Sequence, residues 1–286
     1  MGTGIAAMTR IALAVAATAA FILGCSAAEV PTPTAQQMTP PPEAKPTPTP
    51  EPPTPEQLGW LKLALENPVS NVGTRPLKEA LAQPANEGLA LEVLRQAREL
   101  KAAGRKDENS FHWLLIFLHS RSGTQDLAID GPYLKSFAQL ILELMEESFQ
   151  EKTGRVGGIS WQPLVIYLKA HPEDKDLRDR TKRLALANAK VSTFQLPRDA
   201  KAEQIRDSGY HHRVHARLGF SWNILLQLGV LHDGIDVDKA VEILGEPTSK
   251  RDNKINWHYD SMMHINPAMD ARIEKYKIVE FKRYIR

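Results

Sequence analysis

The sequence predicts a mainly α-helical protein that ends in a small α+β module. Between residues 56 and 230, apolar side chains recur every three or four positions, which is typical of amphipathic helices. Beyond residue 231 they alternate one by one, as from Ile255 to Asp260, which is typical of a half-buried strand. We therefore expect a multi-helix domain of antiparallel helices over 56–230. A short helix on a sheet of three or four antiparallel strands should follow over 231–286.

The helices of the first domain are predicted from apolar spacing and from residues that begin or end helices. Pro76 stands where a helix can begin, and Gly104 stands where one can end. The clearest predicted helices cover 86–103, 108–119, 133–151, 161–170 and 174–190. Residues 210–220 alternate like a strand but also carry a helical stripe. We favour a helix there, because apolar residues continue to Leu228 without a turn signal.

The order of elements in the C-terminal module is predicted from its caps and its alternation. Asp236 is a natural N-cap for a helix over 237–244, and Gly245 followed by Pro247 predicts the end of that helix. Strands are expected at 255–260, 263–265, 269–273 and 278–284. The charged turn at 274–277 should join the last two.

The first 25 residues predict a secretory signal. Arg10 gives a basic start, an apolar run of thirteen residues follows at 11–23, and small residues lead to Cys25. A membrane-spanning helix needs about 20 residues, so an uncleaved anchor is the poorer interpretation. Translation can start at Met1 or at Met8, and both remain open.

Composition limits the chemistry of the chain and the partners it can have. Cys25 is the only cysteine, which excludes a disulfide within the chain and a cysteine nucleophile or Cys-based metal site elsewhere in it. The formal net charge is only +2, with both signs mixed, so nucleic-acid binding is not expected. Eleven of the twenty prolines lie between Pro31 and Pro55, so residues 26–55 are expected to form a disordered Pro/Thr-rich tether.

The end of the signal, Ile22-Leu23-Gly24-Cys25, resembles the lipobox of bacterial lipoproteins. The resemblance implies that Cys25 becomes the mature N-terminus and carries lipid on its sulfur, so that the membrane is bound through that lipid. Ser26 follows, where an aspartate is absent. In enteric-type bacteria this resembles outer-membrane sorting. It implies a protein of the cell envelope, on the outer membrane and facing the periplasm.

The last fifty residues resemble the SmpA/OmlA (BamE-like) module of small outer-membrane lipoproteins. The matching segments are a start at 234–236 with Gly234, a helix stop with Gly245 and Pro247, and a strand with Trp257 and Tyr259. The resemblance implies that Gly245 forms a left-handed cap and that Trp257 and Tyr259 cover the helix. It also implies a non-catalytic role, which is to bind a protein partner or to support envelope assembly.

The histidines at 211 and 215 form the most metal-like pattern in the sequence. On a helix His211 and His215 would share one face at a spacing that can hold a metal. Two nearby arginines, Arg213 and Arg217, would oppose a cation, so a polar helix face is the preferred interpretation. We therefore expect neither a metal nor a cofactor.

An envelope enzyme such as a cell-wall hydrolase is the competing function, with its site in the helical domain. Its acids would come from a set of carboxylates in the predicted helices and the loop before one of them: Asp126, Asp130, Glu143, Glu146 and Glu147. Lysine and arginine lie near most of them, which indicates solvated helix surfaces. The balance is against catalysis, but activity in the helical domain stays open.

Overall fold

A computed structural model describes residues 49–83, 86–122, 132–150, 160–194, 208–259 and 267–285. The predicted signal with Cys25, the tether as far as residue 48, the strand at 263–265, and both Asp126 and Asp130 lie outside these ranges. The predicted fold class is confirmed, because the elements of the described residues are helices from Pro55 to Leu244 and then an antiparallel four-stranded sheet.

The described helices are α1 Pro55–Glu66, α2 Asn71–Leu81, α3 Glu87–Ala102, α4 Asn109–Ser122, α5 Pro132–Gln150, α6 Gln162–Ala170, α7 Lys175–Ala187, α8 Ser208–Gln227 and α9 Val237–Leu244. They pack as consecutive pairs: α1 with α2, α3 with α4, α5 with α6, and α7 with α8. A short 3-10 helix covers Val191–Phe194. The five clearest predicted helices are therefore confirmed, with ends shifted by no more than three residues.

Helix α8 settles the ambiguous stretch at 210–220. Val214, Leu218 and Trp222 lie on one stripe and are almost completely buried. Because this spacing of four places them on one face of a helix, the stripe can enter the core as a unit. The helical interpretation is confirmed.

The start of α1 shows how the proline-rich segment ends. Pro55 occupies the first helical position, where its missing N–H costs nothing. The Thr54 side chain accepts from the Gln57 N–H at 3.2 Å, and the Gln57 side chain accepts from the Thr54 N–H at 2.8 Å. This capping box stabilises the first turn, so the helix begins at Pro55, the last residue of the predicted tether.

The sheet is a meander in which each strand pairs with the next along the chain. Its strands are β1 Ser249–Arg251, β2 Lys254–His258, β3 Pro267–Glu274 and β4 Lys277–Ile285. Strand β1 was not predicted, because its three residues are all exposed and carry no alternation. The turn between β3 and β4 has positive φ at both Lys275 and Tyr276, the twist that a two-residue hairpin needs.

The start of the module covers the edge of β4. The Gly234 N–H donates to the Ile278 carbonyl at 2.6 Å, and the Ile278 N–H donates to the Ile235 carbonyl at 2.9 Å. Gly234 has φ +92, a backbone angle that favours glycine. These bonds satisfy backbone groups of an edge strand that would otherwise be available for pairing with another chain.

Candidate functional site

Gly245 and Trp257 meet where α9 ends on the sheet. Ile255, Trp257 and Tyr259 point to the buried side of β2, as the alternation predicted. Trp257 is completely buried, and its indole N–H donates to the Gly245 carbonyl at 2.7 Å. The tryptophan therefore fixes both the face of the sheet and the end of the helix.

Gly245 differs from the expected left-handed cap. Its φ is +83 but its ψ is −178, an extended combination that is essentially restricted to glycine. The Gly245 N–H still closes the helix by donating to the Val241 carbonyl at 2.8 Å. Because ψ is extended, the chain leaves the helix directly toward Pro247 and β1 instead of curling back over the last turn.

Tyr259 contacts α8 through a buried polar pair. Its hydroxyl lies 2.7 Å from Nδ1 of His211, and both side chains are buried. Burial raises the pKa of Tyr259, so this hydroxyl keeps its proton. The pair is a polar contact between the helical part and the sheet, and it satisfies two groups that would be costly to bury alone.

His215 lies one turn further along α8 and is half-buried. Its Nε2 atom is buried, and no hydrogen-bond partner for it exists among the described residues. Arg283 of β4 reaches the same helix, where its guanidinium donates to the Gly219 carbonyl at 3.0 Å. Sequence reasoning gave no signal for this contact, because 64 residues separate the two partners.

His211 and His215 have different surroundings on α8. No cluster of three or more metal-ligating side chains occurs in the parts of the chain that the structure describes. His211 is engaged by Tyr259, and the charges of His212 and Arg283 act on His215 and oppose a further cation. The preferred polar face of α8 is not exposed at His211, because only 6% of this residue is accessible to solvent.

The glutamates proposed for a hydrolase link α5 to its neighbours through ion pairs. The nearest partners are Arg98 at 3.4 Å from Glu143, Lys101 at 2.6 Å from Glu147, and Arg180 at 2.9 Å from Glu146. Helices α3 and α7 supply these cations. The expected solvated surfaces with basic neighbours are therefore present, and the pairs join helices that also pack through the core.

No family model, curated protein or solved structure matches this chain. The role of the module therefore depends on its own residues and contacts.

No helix in the ranges that the structure describes is long and apolar enough to cross a bilayer.

Acidification should destabilise the fold through His215. Burial, followed by the positive charges of His212 and Arg283, lowers the pKa of His215 below its ordinary value near 6.5. The imidazole of His215 then binds a proton more tightly in the unfolded chain than in the folded one. The free energy of unfolding therefore falls as the pH drops below about 6.5. Urea unfolding at pH 7.5 and 5.5 should show this loss, and His215→Gln should reduce it.

The matched control for this prediction is His232→Gln, an exposed histidine outside the core. It should leave the difference between the two pH values unchanged. Burial also lowers the pKa of His119, so part of the loss should remain in His215→Gln. An equal loss in the wild type and in His215→Gln would contradict the role of His215.

Proposed function

We propose that this protein is a lipid-anchored component of the bacterial cell envelope that binds a protein partner without catalysis. The observation that carries the proposal is the single cysteine at the end of a short apolar run, Ile22-Leu23-Gly24-Cys25. Acyl chains on one residue hold a protein at a bilayer at about 0.8 kcal/mol per buried methylene, and two or more are needed for stable anchoring.

The Pro/Thr-rich tether supports a role at some distance from the anchor. Residues 31–55 hold eleven prolines and lead to the first helix, which begins at Pro55. A proline-rich chain extends by about 3.1 Å per residue, which gives a reach on the order of 75 Å. On this proposal the folded part stands well clear of the membrane surface, where a partner in the periplasm can approach it.

The ion pairs on α5 favour binding over hydrolysis. A hydrolytic pair needs one carboxyl group held protonated and a second held ionised beside the substrate. Glu143, Glu146 and Glu147 instead neutralise lysine and arginine of neighbouring helices. The envelope-enzyme alternative would have to use other residues.

The anchor is tested by replacing its sulfur. In cells fed an alkyne-tagged fatty acid, the wild-type chain should take up the label and Cys25→Ser should take up none, because a hydroxyl cannot form the thioether. Ser26→Ala is the matched control and should be labelled like the wild type. Mass spectrometry of the N-terminal peptide should find lipid on Cys25. An unmodified Cys25, or a leader still attached to it, would defeat the proposal.

Partner binding is tested at the turn between α1 and α2 and at the start of α2. Val69 is 79% exposed and Val72 is 63% exposed, although both are apolar. Exposed apolar side chains at one place are typical of protein contacts. A photo-crosslinking residue at Val69 or Val72 should capture the same envelope protein, and one at the exposed Lys250 of β1 should not. Recovery of only the chain itself from all three positions would count against a partner.

A further inference from the structure

Helices α6, α7 and α8 line a partly open cavity of about 240 Å³ beside their ends. Val165, Leu168 and Ile224 give it apolar walls, and Lys169, Arg178 and Gln227 give it polar ones. Ligand sites typically combine an apolar body with a few polar groups in this way. The cavity lies away from the contact between α8 and the sheet, and the function proposed above does not use it.

The two cations at this cavity have no acidic partner among the described residues. One N–H of Arg178 donates to the Leu228 carbonyl at 3.3 Å, which fixes the guanidinium and leaves its other N–H groups available. The two acids that stand just before α7 are already engaged. Glu173 lies 3.1 Å from His171, and Asp174 lies 2.8 Å from the Tyr167 hydroxyl and 3.0 Å from Lys135.

The helix ends at the cavity limit the charge of its ligand. Helix α6 ends at Ala170 and α8 ends at Gln227, while α7 begins at Lys175. Two C-terminal ends and one N-terminal end together act as roughly half a negative charge. Lys169 and Arg178 contribute two positive charges, so a positive surplus remains and favours an anion. The apolar walls favour a singly charged anion over a phosphate dianion, because a dianion is costlier to desolvate.

We propose that this cavity binds a small monocarboxylate with a short apolar tail. The carboxylate would accept hydrogen bonds from Arg178 and Lys169, because a guanidinium matches a carboxylate in shape and charge. The tail would lie against Val165, Leu168 and Ile224. A cavity of about 150 Å³ accommodates benzene, so the volume here suits about ten non-hydrogen atoms. Such a group can be a free acid or the C-terminal residue of a peptide.

The test is calorimetric titration of the full-length chain in nanodiscs, with empty nanodiscs subtracted. Hexanoate represents a free acid, and N-acetyl-leucine represents a peptide C-terminus. Hexanol has the same tail as hexanoate without the charge. We expect saturable binding of at least one carboxylate, at least about tenfold tighter than hexanol, since charged hydrogen bonds are the strong ones. The tighter of the two acids identifies the source of the ligand.

Variants then locate the binding in this cavity. Arg178→Gln should weaken carboxylate binding about tenfold, and Lys169→Gln should weaken it as well. Lys182→Gln, an exposed position on α7, is the matched control and should bind like the wild type. Circular dichroism confirms that each variant is folded. Absence of saturable binding, equal binding of hexanol, or equal affinity in Arg178→Gln and Lys182→Gln would overturn the proposal.

Discussion

Replacing Trp257 with alanine is expected to lower the free energy of unfolding by about 3–5 kcal/mol, the usual cost of removing a large aromatic side chain from a core. Trp257 is completely buried, and its neighbour across the strands is Met269. The change also removes the donor to the Gly245 carbonyl. Both losses fall at the junction of α9 with the sheet, so we expect this junction to loosen first.

Urea unfolding followed by far-ultraviolet circular dichroism measures the effect without relying on tryptophan fluorescence. Trp257→Phe should cost less than Trp257→Ala, because it keeps an aromatic ring and loses the hydrogen bond, worth about 1–3 kcal/mol. Trp60→Ala is the matched control, since Trp60 is only partly buried on α1. A loss in Trp257→Ala no larger than in Trp60→Ala would show that Trp257 does not hold the module.

The helical part of the fold could be predicted because its signals are local. Helix α3 was expected over 86–103 and covers Glu87–Ala102, with Gly104 at φ +72 just beyond it. Its apolar side chains recur at the helical period, and glycine supplies the backbone angle that ends it. Both signals lie within residues 86–104, so a short local stretch of sequence contains them.

The contacts of the candidate site could not be predicted because they join distant residues. His211 meets Tyr259 across 48 positions, and each looks ordinary within its own element. The sequence pattern indicated that His211 lies on a helix, but not that the sheet covers this face. The extended ψ of Gly245 was missed for a related reason, since it depends on where β1 lies.

Replacing Gly73 with alanine is expected to lower the free energy of unfolding by about 2–6 kcal/mol. Gly73 has φ +83 at a kink inside α2, which strains any residue with a side chain by about 1–3 kcal/mol. The added Cβ would also lie 2.6 Å from the Cβ of Leu63 and 3.2 Å from the backbone N of Ala64. Because this obstacle is the body of α1, relief requires the two helices to separate, and overpacking adds a further 1–3 kcal/mol or so.

Gly59→Ala is the matched control, because it adds the same methyl group to the same pair of helices. Gly59 lies in α1, and a Cβ there would meet nothing within 4 Å. Alanine is the better helix former, so this variant should gain up to about 1 kcal/mol. Urea unfolding of both variants should therefore give changes of opposite sign. Two changes of the same sign would mean that the kink at Gly73 is not what holds α1 against α2.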